Sequence, residues 1–166
     1  MLKAIQLRPT TESDLDFVLS AERIQENFVF IVPGTREQHC TALTNPNMAH
    51  CIIETLDDPR SVGFLIVCGL EDPSRCLEFR KIVITEKGKG FGREALELLK
   101  DMAFITLDMH RLWLDVKEQN QRARHLYSSV GFVEEGLLRE CLWNGKTFES
   151  LILMSMLSRE YYDSRK

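Results

Sequence analysis

Three alternating glycines constrain this 166-residue chain more than any other feature of its sequence. They lie in the run Gly88-Lys89-Gly90-Phe91-Gly92, which follows a β-branched apolar segment, Leu77 to Thr85, and precedes an apolar helical stripe, Ala95 to Ala103. A strand that turns directly into a helix aims several backbone N–H groups at one point, where the helix dipole also favours negative charge. Glycines let an anion approach that backbone closely. The run therefore predicts a phosphate site at the start of a helix.

The phosphate ligand depends on which glycine motif the run matches. Lys87, Lys89 and Arg93 add positive charge around it. A Walker loop would end in Gly-Lys-Ser or Gly-Lys-Thr, which argues against ATP and GTP. A dinucleotide fingerprint would need a third glycine where Arg93 stands, although Asp115 lies at a suitable distance to bind a ribose. An NAD-dependent oxidoreductase stays an alternative, but the hairpins elsewhere supply no further βα units to complete that fold.

The whole chain predicts a fold of class α/β (α+β), with a mixed, mostly antiparallel central sheet of about seven strands and helices on both faces. Alternating apolar positions predict strands at Ala4 to Arg8, Ala49 to Leu56, Ser61 to Leu70, Leu77 to Thr85, Arg111 to Lys117, Phe132 to Leu142 and Lys146 to Leu157. Capping residues and apolar stripes predict helices from Thr10–Asp14 through about Gln25, from near Thr35, over Ala95 to Ala103, and between Asn120 and Gly131. Asn144-Gly145 predicts a two-residue hairpin turn.

Composition limits the function classes. The length predicts one domain over residues 1–166. A net charge of −4 leaves no basic field for a nucleic-acid partner and favours a cationic substrate. The sequence has no apolar leader and no stretch of the ~20 apolar residues that a membrane span needs, so we expect a cytoplasmic protein with no membrane partner. Five cysteines without a Cys-x-x-Cys pair, and four histidines without ligand spacing, predict no metal site.

Three segments together resemble the GCN5-related N-acetyltransferases. The first is the strand, loop and helix start from Ile82 to Gly92, which is similar to the pyrophosphate loop of that family, with Lys87 where the family usually has Gln or Arg. The second is Asn120-x-x-Ala123-x-x-Leu126-Tyr127, and the third is Val130-Gly131-Phe132 with Glu135-Gly136. The matching block, Leu77 to Leu157, covers about half the chain. The stretch from Glu135 to Lys146 resembles the branch with polyamine and ribosomal-protein N-terminal acetyltransferases.

The resemblance implies that acetyl-CoA, the acyl donor, lies between the strands Leu77 to Thr85 and Arg111 to Lys117. Its pantetheine would pair with the backbone of Ile82, Val83 and Ile84, and its pyrophosphate would lie on the loop amides. The implied donor-binding residues are Ile82, Val83, Ile84, Lys87, Gly88, Lys89, Gly90, Phe91, Gly92, Arg93, Asn120, Arg122, Ala123 and Tyr127. The implied activity is transfer of the acetyl group to a primary amine, by direct attack of that amine.

Two residues are candidates for the proton transfers of that reaction. The resemblance implies that Tyr127 is the general acid for the leaving sulfur, because a phenol of pKa ~10 is close to an alkyl thiol of ~8.5. It also implies that Glu78 is the general base. A polyamine or lysine amine is free base in only about one molecule in two thousand at pH 7, so it needs this help. Strand alternation predicts that Glu78 shares a face with Ile82 and Ile84.

The acceptor is left open by the sequence. It can be a polyamine, another small-molecule amine or a peptide N-terminus. The loops that bind it should come from the first half of the chain, around Glu22 to Thr35 and the hairpins. Glu22, Glu26 and Glu54 are candidates to recognise a cation, or surface charges. A homodimer is expected from family habit. A non-catalytic acyl-CoA-binding sensor stays an alternative to the enzyme.

Overall fold

The computed structural model describes residues 3–166 and contains one seven-stranded sheet with the strand order β1-β2-β3-β4-β5-β7-β6. The strands are β1 Ile5–Pro9, β2 Met48–Thr55, β3 Ser61–Cys68, β4 Cys76–Ile84, β5 Arg111–Lys117, β6 Val133–Trp143 and β7 Phe148–Leu157. The helices are α1 Leu15–Arg23, α2 Gln25–Phe28, α3 Arg36–Thr44, α4 Phe91–Asp101, α5 Gln121–Ser129 and α6 Ser158–Asp163. Neighbouring strands are antiparallel except β4 and β5, which are parallel. The predicted fold class is confirmed.

Helices cover both faces of the sheet because the central strands are apolar on both sides. Val18 and Ala21 of α1 pack on Ile52 of β2 and Phe64 of β3. The opposite face is covered by α4 and α5. Its core is formed mainly by Leu65, Leu77, Phe79, Leu96, Leu99, Leu112, Leu114 and Tyr127. Within residues 3–166, no helix is long and apolar enough to cross a membrane.

Helix α4 is fixed at both ends by polar contacts to neighbouring elements. Glu94 Oε1 accepts hydrogen bonds from the backbone N–H groups of Ala4 (2.7 Å) and Ile5 (3.2 Å), which hold its first turns against β1. Near its other end, Lys100 is only 5% exposed and its Nζ donates to the carbonyl of Val130, 2.9 Å away. A π-helical turn, Met102–Thr106, then ends the helix. The start of α4 therefore has a fixed position relative to the sheet.

The first predicted helix is divided in the structure. A 3₁₀ turn, Glu12–Asp14, precedes α1, and Ile24 interrupts the helix with an extended ψ of 125° before α2 begins. The side chain of Asn27 stabilises this break, since its Nδ2 donates to the carbonyl of Ala21 at 3.1 Å. The prediction of one helix through Gln25 is wrong at its last turn because this tertiary contact turns the chain.

The last part of the chain departs from prediction in two places. Trp143 pairs with Phe148, so four residues connect β6 and β7 instead of the predicted two. Asn144 Oδ1 accepts hydrogen bonds from the backbone N–H groups of Lys146 (2.9 Å) and Thr147 (2.8 Å), which builds a wider, side-chain-stabilised turn. The sequence analysis also missed α6, where the buried Tyr161 donates to Asp101 at the end of α4.

Candidate active site between two diverging strands

A cleft opens where β4 and β5 separate. The two parallel strands pair over only three residues, with Cys76 opposite Arg111 and Glu78 opposite Trp113, and the described chain shows no pair beyond these. β5 instead stays paired with β7 along its whole length. The backbone of the second half of β4 therefore has no strand neighbour on this side. The resulting cleft has a volume of about 1000 Å³ and is lined by residues of the two strands and of α2, α4 and α5.

A β-bulge changes which side chains of β4 face the cleft. Lys81 pairs with Ile66 of β3, but the next residue of β3, Val67, pairs with Phe79, which leaves Arg80 as the extra residue. Leu77 and Phe79 thus lie on the α4 face with Ile82, while Lys81 lies on the α1 face. The prediction that Glu78 shares a face with Ile82 and Ile84 is wrong, since the bulge reverses the alternation between them.

Backbone groups of β4 alternate between β3 and the cleft. Thr85 donates its N–H to the carbonyl of Val62 at 2.9 Å, and the Val83 carbonyl approaches Gly63 so closely that a Cβ there would lie 2.3 Å from its oxygen. Both residues therefore direct their backbone polar groups at β3. By alternation, Ile82 and Ile84 direct theirs at the cleft. Asn27 Nδ2 lies 3.4 Å from the Ile84 carbonyl on that side.

Val83 is accordingly a correction to the predicted donor-binding set. Its backbone is engaged by β3, and its side chain is 1% exposed in the core beneath α1. Neither part of the residue faces the cleft.

The glycine loop has the geometry of an anion site. Gly88 and Gly90 adopt the left-handed conformation, with φ of 80° and 83°, and a Cβ on either would meet nothing within 4 Å. Phe91, 8% exposed, anchors the first turn of α4 in the core. Because the first N–H groups of a helix lack intrahelical partners, the amides of this turn point into open space beside the cleft.

Four cationic side chains lie near this loop, and three of them line the cleft. Lys87 lines the cleft and lies 3.5 Å from Glu26 of α2. Arg93 also lines it and donates to Ser129 Oγ at 2.7 Å. Arg122 lines it from the first turn of α5. Lys89 is a second correction: its exposed side chain turns away to Glu86, at 2.6 Å, and does not line the cleft.

Helix α5 places Tyr127 at the inner end of the cleft. Asn120 caps the helix, with its Oδ1 accepting from the N–H of Ala123 at 3.1 Å. Tyr127 is only 8% exposed, and its ring packs edge-on against Phe79 with centroids 6.1 Å apart. No hydrogen bond to its hydroxyl exists within residues 3–166. Burial, followed by the negative charge of Asp115, raises the pKa of Tyr127 above its usual range. The phenol therefore stays protonated at neutral pH.

Asp115 is the acid of the cleft that no cation neutralises. Three carboxylates line the cleft, and two of them are paired, Glu26 with Lys87 and Glu86 with Lys89. The carboxylate of Asp115 has no hydrogen-bond or ion-pair partner in the described part of the chain. Although it faces the solvent of the cleft, partial desolvation, and then the charge of Glu78, raise its pKa.

Glu78 itself lies outside the cleft lining. Its carboxylate is held by Arg80, at 2.7 Å, on the same strand. From the sequence, Asp115 was considered only as a ribose ligand. The available signal was its place as the acid on the face of β5 opposite Leu114 and Val116.

Two lysines, one from each diverging strand, hold the outer wall of the cleft. The wall is the segment from Val29 to Val32, whose residues line the cleft and are largely exposed. Lys81 of β4 donates to the carbonyl of Val32 at 2.8 Å, and Lys117 of β5 donates to the carbonyl of Val29 at 3.2 Å. This wall lies within the predicted acceptor region.

Glu22, one of the predicted cation-recognising residues, is buried behind that wall and unavailable to a ligand. It is 0% exposed and accepts hydrogen bonds from Lys81 Nζ (2.6 Å), the N–H of Gly34 (2.9 Å) and His39 Nε2 (3.1 Å). Burial alone would raise the pKa of Glu22, but the bonds from His39 and Lys81 lower it. Glu54, another candidate, lies on β2, pairs with Arg8 of β1 at 3.0 Å and does not line the cleft. Only Glu26 of the three lines the cleft.

A chain of buried hydrogen bonds continues from Glu22 into the core. His39 Nδ1 lies 3.1 Å from His50 Nε2, and His50 Nδ1 lies 2.8 Å from Thr10 Oγ1. Since a carboxylate only accepts, His39 donates to Glu22, His50 donates to His39, and Thr10 donates to His50. Burial lowers the pKa of His50 to about 4. This network connects β1, β2 and α3 to the cleft wall.

Most of the predicted donor-binding residues meet at one cleft. Those that line it are Ile82, Ile84, Lys87, Gly88, Gly90, Phe91, Gly92, Arg93, Asn120, Arg122, Ala123 and Tyr127. No cluster of His, Cys, Asp and Glu within residues 3–166 could hold a metal ion.

A sheet that opens between two parallel strands, with a glycine-rich helix start at its mouth, is the arrangement that the sequence resemblance predicts. The profile of the acetyltransferase (GNAT) domain family matches residues 5–133, and the chain belongs to this family. The resemblance seen in the sequence is confirmed.

Characterised relatives point to one branch of the family. The chain is 38% identical to the spermidine N(1)-acetyltransferase of Vibrio cholerae over 102 residues, which are 60% of this chain and 58% of that protein. It is 31% identical to the spermidine N(1)-acetyltransferase of Escherichia coli K12 over 66% of this chain and 59% of that protein. The chain thus spans about three fifths of the length of these curated relatives.

The same fold occurs in a solved structure over nearly the full chain. The crystal structure of spermidine N-acetyltransferase from Vibrio cholerae, in complex with CoA and spermine, superimposes with a TM-score of 0.86. The superposition covers 97% of this chain and 99% of that chain, at 24% identity. The two proteins share the fold at this level of identity.

The buried histidine network predicts an acid-sensitive stability. Because the pKa of His50 falls from 6.5 to about 4 on folding, the unfolded state binds a proton at His50 at a higher pH than the folded state does. The free energy of unfolding therefore has its full value above pH 6.5 and falls by roughly 2–4 kcal/mol as the pH falls towards 4. In urea unfolding between pH 7 and 4, His50→Gln should show a shallower loss than the wild type, while the exposed His110→Gln should match the wild type. Equal slopes for His50→Gln and the wild type would show that His50 does not titrate on unfolding.

Proposed function

We propose that the chain is an acetyl-CoA-dependent N-acetyltransferase that acts, as one domain over residues 1–166, on a primary amine. The observation that carries this proposal is the convergence of three features on one cleft: an unpaired strand edge, an open glycine loop at a helix start, and a protonated buried tyrosine. Family membership agrees with it. We also propose that the protein is cytoplasmic, where its five cysteines, all unpaired thiols, would stay reduced.

The donor would bind through backbone and cationic groups. Ile82 and Ile84 offer backbone groups that an amide-containing pantetheine arm can pair with as a strand would. The amides at the start of α4 would receive the pyrophosphate, with Lys87, Arg93 and Arg122 adding charge. Bound there, acetyl-CoA supplies an activated acetyl thioester, and the chain's own groups orient it and exclude water from it.

Tyr127 would stabilise the leaving sulfur. Its hydroxyl has no protein partner and faces the cleft, so it is free to donate a hydrogen bond there. The raised pKa of this phenol makes complete proton transfer to a thiolate of pKa ~8.5 unfavourable in the free enzyme. Its contribution is therefore a hydrogen bond that strengthens as charge develops on sulfur. The thiolate then takes its proton from solvent. Glu78 remains a proposed general base, although Arg80 holds its carboxylate.

A polyamine is the acceptor that the cleft suits best. The unneutralised Asp115 and the net charge of −4 both favour a cation. Relatives at 38% and 31% identity are named for spermidine acetylation, and the Bacillus subtilis protein named as a putative ribosomal N-acetyltransferase is 28% identical. A different small amine and a peptide N-terminus are the competing acceptors.

Substitution of Gly90 tests the donor site. Gly90→Glu would place a negative charge and a side chain where the pyrophosphate approaches, so titration calorimetry should detect no acetyl-CoA or CoA binding, against micromolar binding by the wild type. Gly145→Glu is the matched control, because Gly145 also has a positive φ, of 91°, and open space around it, but lies in the β6–β7 turn. Wild-type preference for NAD or ATP over acetyl-CoA would overturn the proposal.

Substitution of Tyr127 tests the enzyme against a silent sensor. Tyr127→Phe should lower the rate of CoA release with spermidine by ~10²-fold or more while acetyl-CoA affinity stays within about twofold. Tyr162→Phe, which removes an exposed hydroxyl bonded to the Phe104 carbonyl, should leave the rate unchanged. A wild type that binds acetyl-CoA but acetylates neither polyamines nor peptide N-termini would identify the sensor.

A homodimer is proposed through the edge strand β6. Every one of its residues except Leu142 is exposed, and the apolar Val133, Leu137 and Leu138 stand on it. An exposed edge strand that carries apolar side chains can pair with a strand or surface of a second copy. Light scattering of the wild type should give twice the mass of a monomer. The double variant Leu137→Lys, Leu138→Lys should give the mass of one monomer. A monomeric wild type at micromolar concentration would contradict the proposal.

A further inference from the structure

We propose that Asp115 receives the acceptor amine, attracting it as a cation and taking the N–H proton that is released when the C–N bond forms. This inference rests on the proposed function and names the residue of the cleft that acts on the nucleophile. The family resemblance assigned that role to Glu78.

The position of Asp115 places it at the reacting end of the cleft. It follows Trp113 by two residues, and Trp113 forms the last pair between β5 and β4 before the strands separate. Leu114 and Val116 point into the core under α4 and α5, so Asp115 points to the opposite, open face. It lines the same cleft as Tyr127.

Tyr127 provides an independent indication that this part of the cleft binds a ligand. Its side chain is more than nine-tenths buried, its hydroxyl has no partner within residues 3–166, and the cleft is the space it faces. The hydroxyl oxygen is not itself fully buried, so a ligand or ordered water in the cleft can satisfy it. Tyr127 and Asp115 line the same cleft, so a ligand that enters it meets both residues.

Asp115 is available, whereas the other acids are occupied. Glu78 is bound by Arg80, Glu26 by Lys87 and Glu86 by Lys89. The ionisable groups around Asp115 are Glu78 and Arg80 from β4 and the neutral phenol of Tyr127 from α5. On the same face of β5 lies Lys117, which is paired with Glu149, and β7 presents the apolar Leu153 opposite Asp115. Glu78 thus acts on Asp115 as a neighbouring negative charge that makes it more basic.

The proton balance of the step is simple. The amine loses one proton to solvent and its nitrogen then forms the C–N bond at the acetyl carbonyl carbon. The C–S bond breaks, and its electron pair goes to sulfur, which accepts a hydrogen bond from Tyr127 and takes its proton from solvent. The remaining excess proton on nitrogen passes to the Asp115 carboxylate, which returns it to the water of the cleft.

Asp115→Asn is the direct test, measured as CoA release with spermidine by the full chain. We expect kcat/KM to fall by ~10²-fold or more, with acetyl-CoA affinity from calorimetry within about twofold of wild type. Asp115→Glu should recover part of the rate. Asp163→Asn is the matched control, since it removes the same charge from an exposed pair with Lys166 far from the cleft. It should keep the wild-type rate.

The pH profile gives a readout that a merely structural role would not move. At the acid end of the profile, protonation of the amine and protonation of Asp115 should each lower the wild-type kcat/KM, so that its slope against pH corresponds to two protons. In Asp115→Asn the slope should correspond to one proton. Glu78→Gln should shift the Asp115 limb to lower pH. An active wild type with an equally active Asp115→Asn overturns this inference alone, and so does loss of acetyl-CoA binding in that variant. A wild type inactive with every amine overturns the proposed function instead.

Discussion

The whole site depends on the three-residue pairing between β4 and β5. Up to Glu78 and Trp113 the two strands are joined as in any parallel sheet. Beyond that point β4 follows β3 and β5 follows β7, so the twist of each half of the sheet carries the strands apart. The opening leaves backbone groups of β4 unpaired at a place where α2, α4 and α5 keep bulk water partly excluded. A sheet that stayed closed would have neither the cleft nor the free strand edge.

Charged side chains stabilise the opening that the backbone creates. Lys81 and Lys117 reach from the two separated strands to carbonyl groups of the same wall segment, and each is also paired with a glutamate, Glu22 or Glu149. Glu22 is completely buried, so loss of one of its partners would leave a charge without solvation, which is the expensive outcome for a buried pair. Displacement of Lys81 from the wall would therefore cost free energy, because it would leave the buried Glu22 without one of its partners. Asp115 differs from all of them because nothing in the described chain neutralises it.

Much of the fold could be predicted because its signals are local. Period-two alternation identified the strands, and Thr35, Asn120 and Gly131 marked helix ends that the structure contains. What failed depended on contacts between distant residues. The break at Ile24 is held by Asn27, and the bulge at Arg80 exists only in relation to the register of β3. Since a bulge reverses the side-chain alternation, a single unseen residue was enough to misplace Glu78.

The donor and acceptor sides of the cleft differ in how much of them the sequence encodes locally. A phosphate loop is made of consecutive amides and needs glycines at fixed positions, so its chemistry is visible in a short segment. The proposed acceptor side combines β4, β5, α5 and the segment Val29 to Val32, which come together only in the folded sheet. One local signal did exist there: Asp115 is an acid on the open face of a strand whose other face is core. Its carboxylate is exposed to the cleft and has no partner in the described chain, so it can bind a cation without first breaking an ion pair. That freedom is the physical reason to look for the acceptor amine at Asp115, and not at the acids that already have partners.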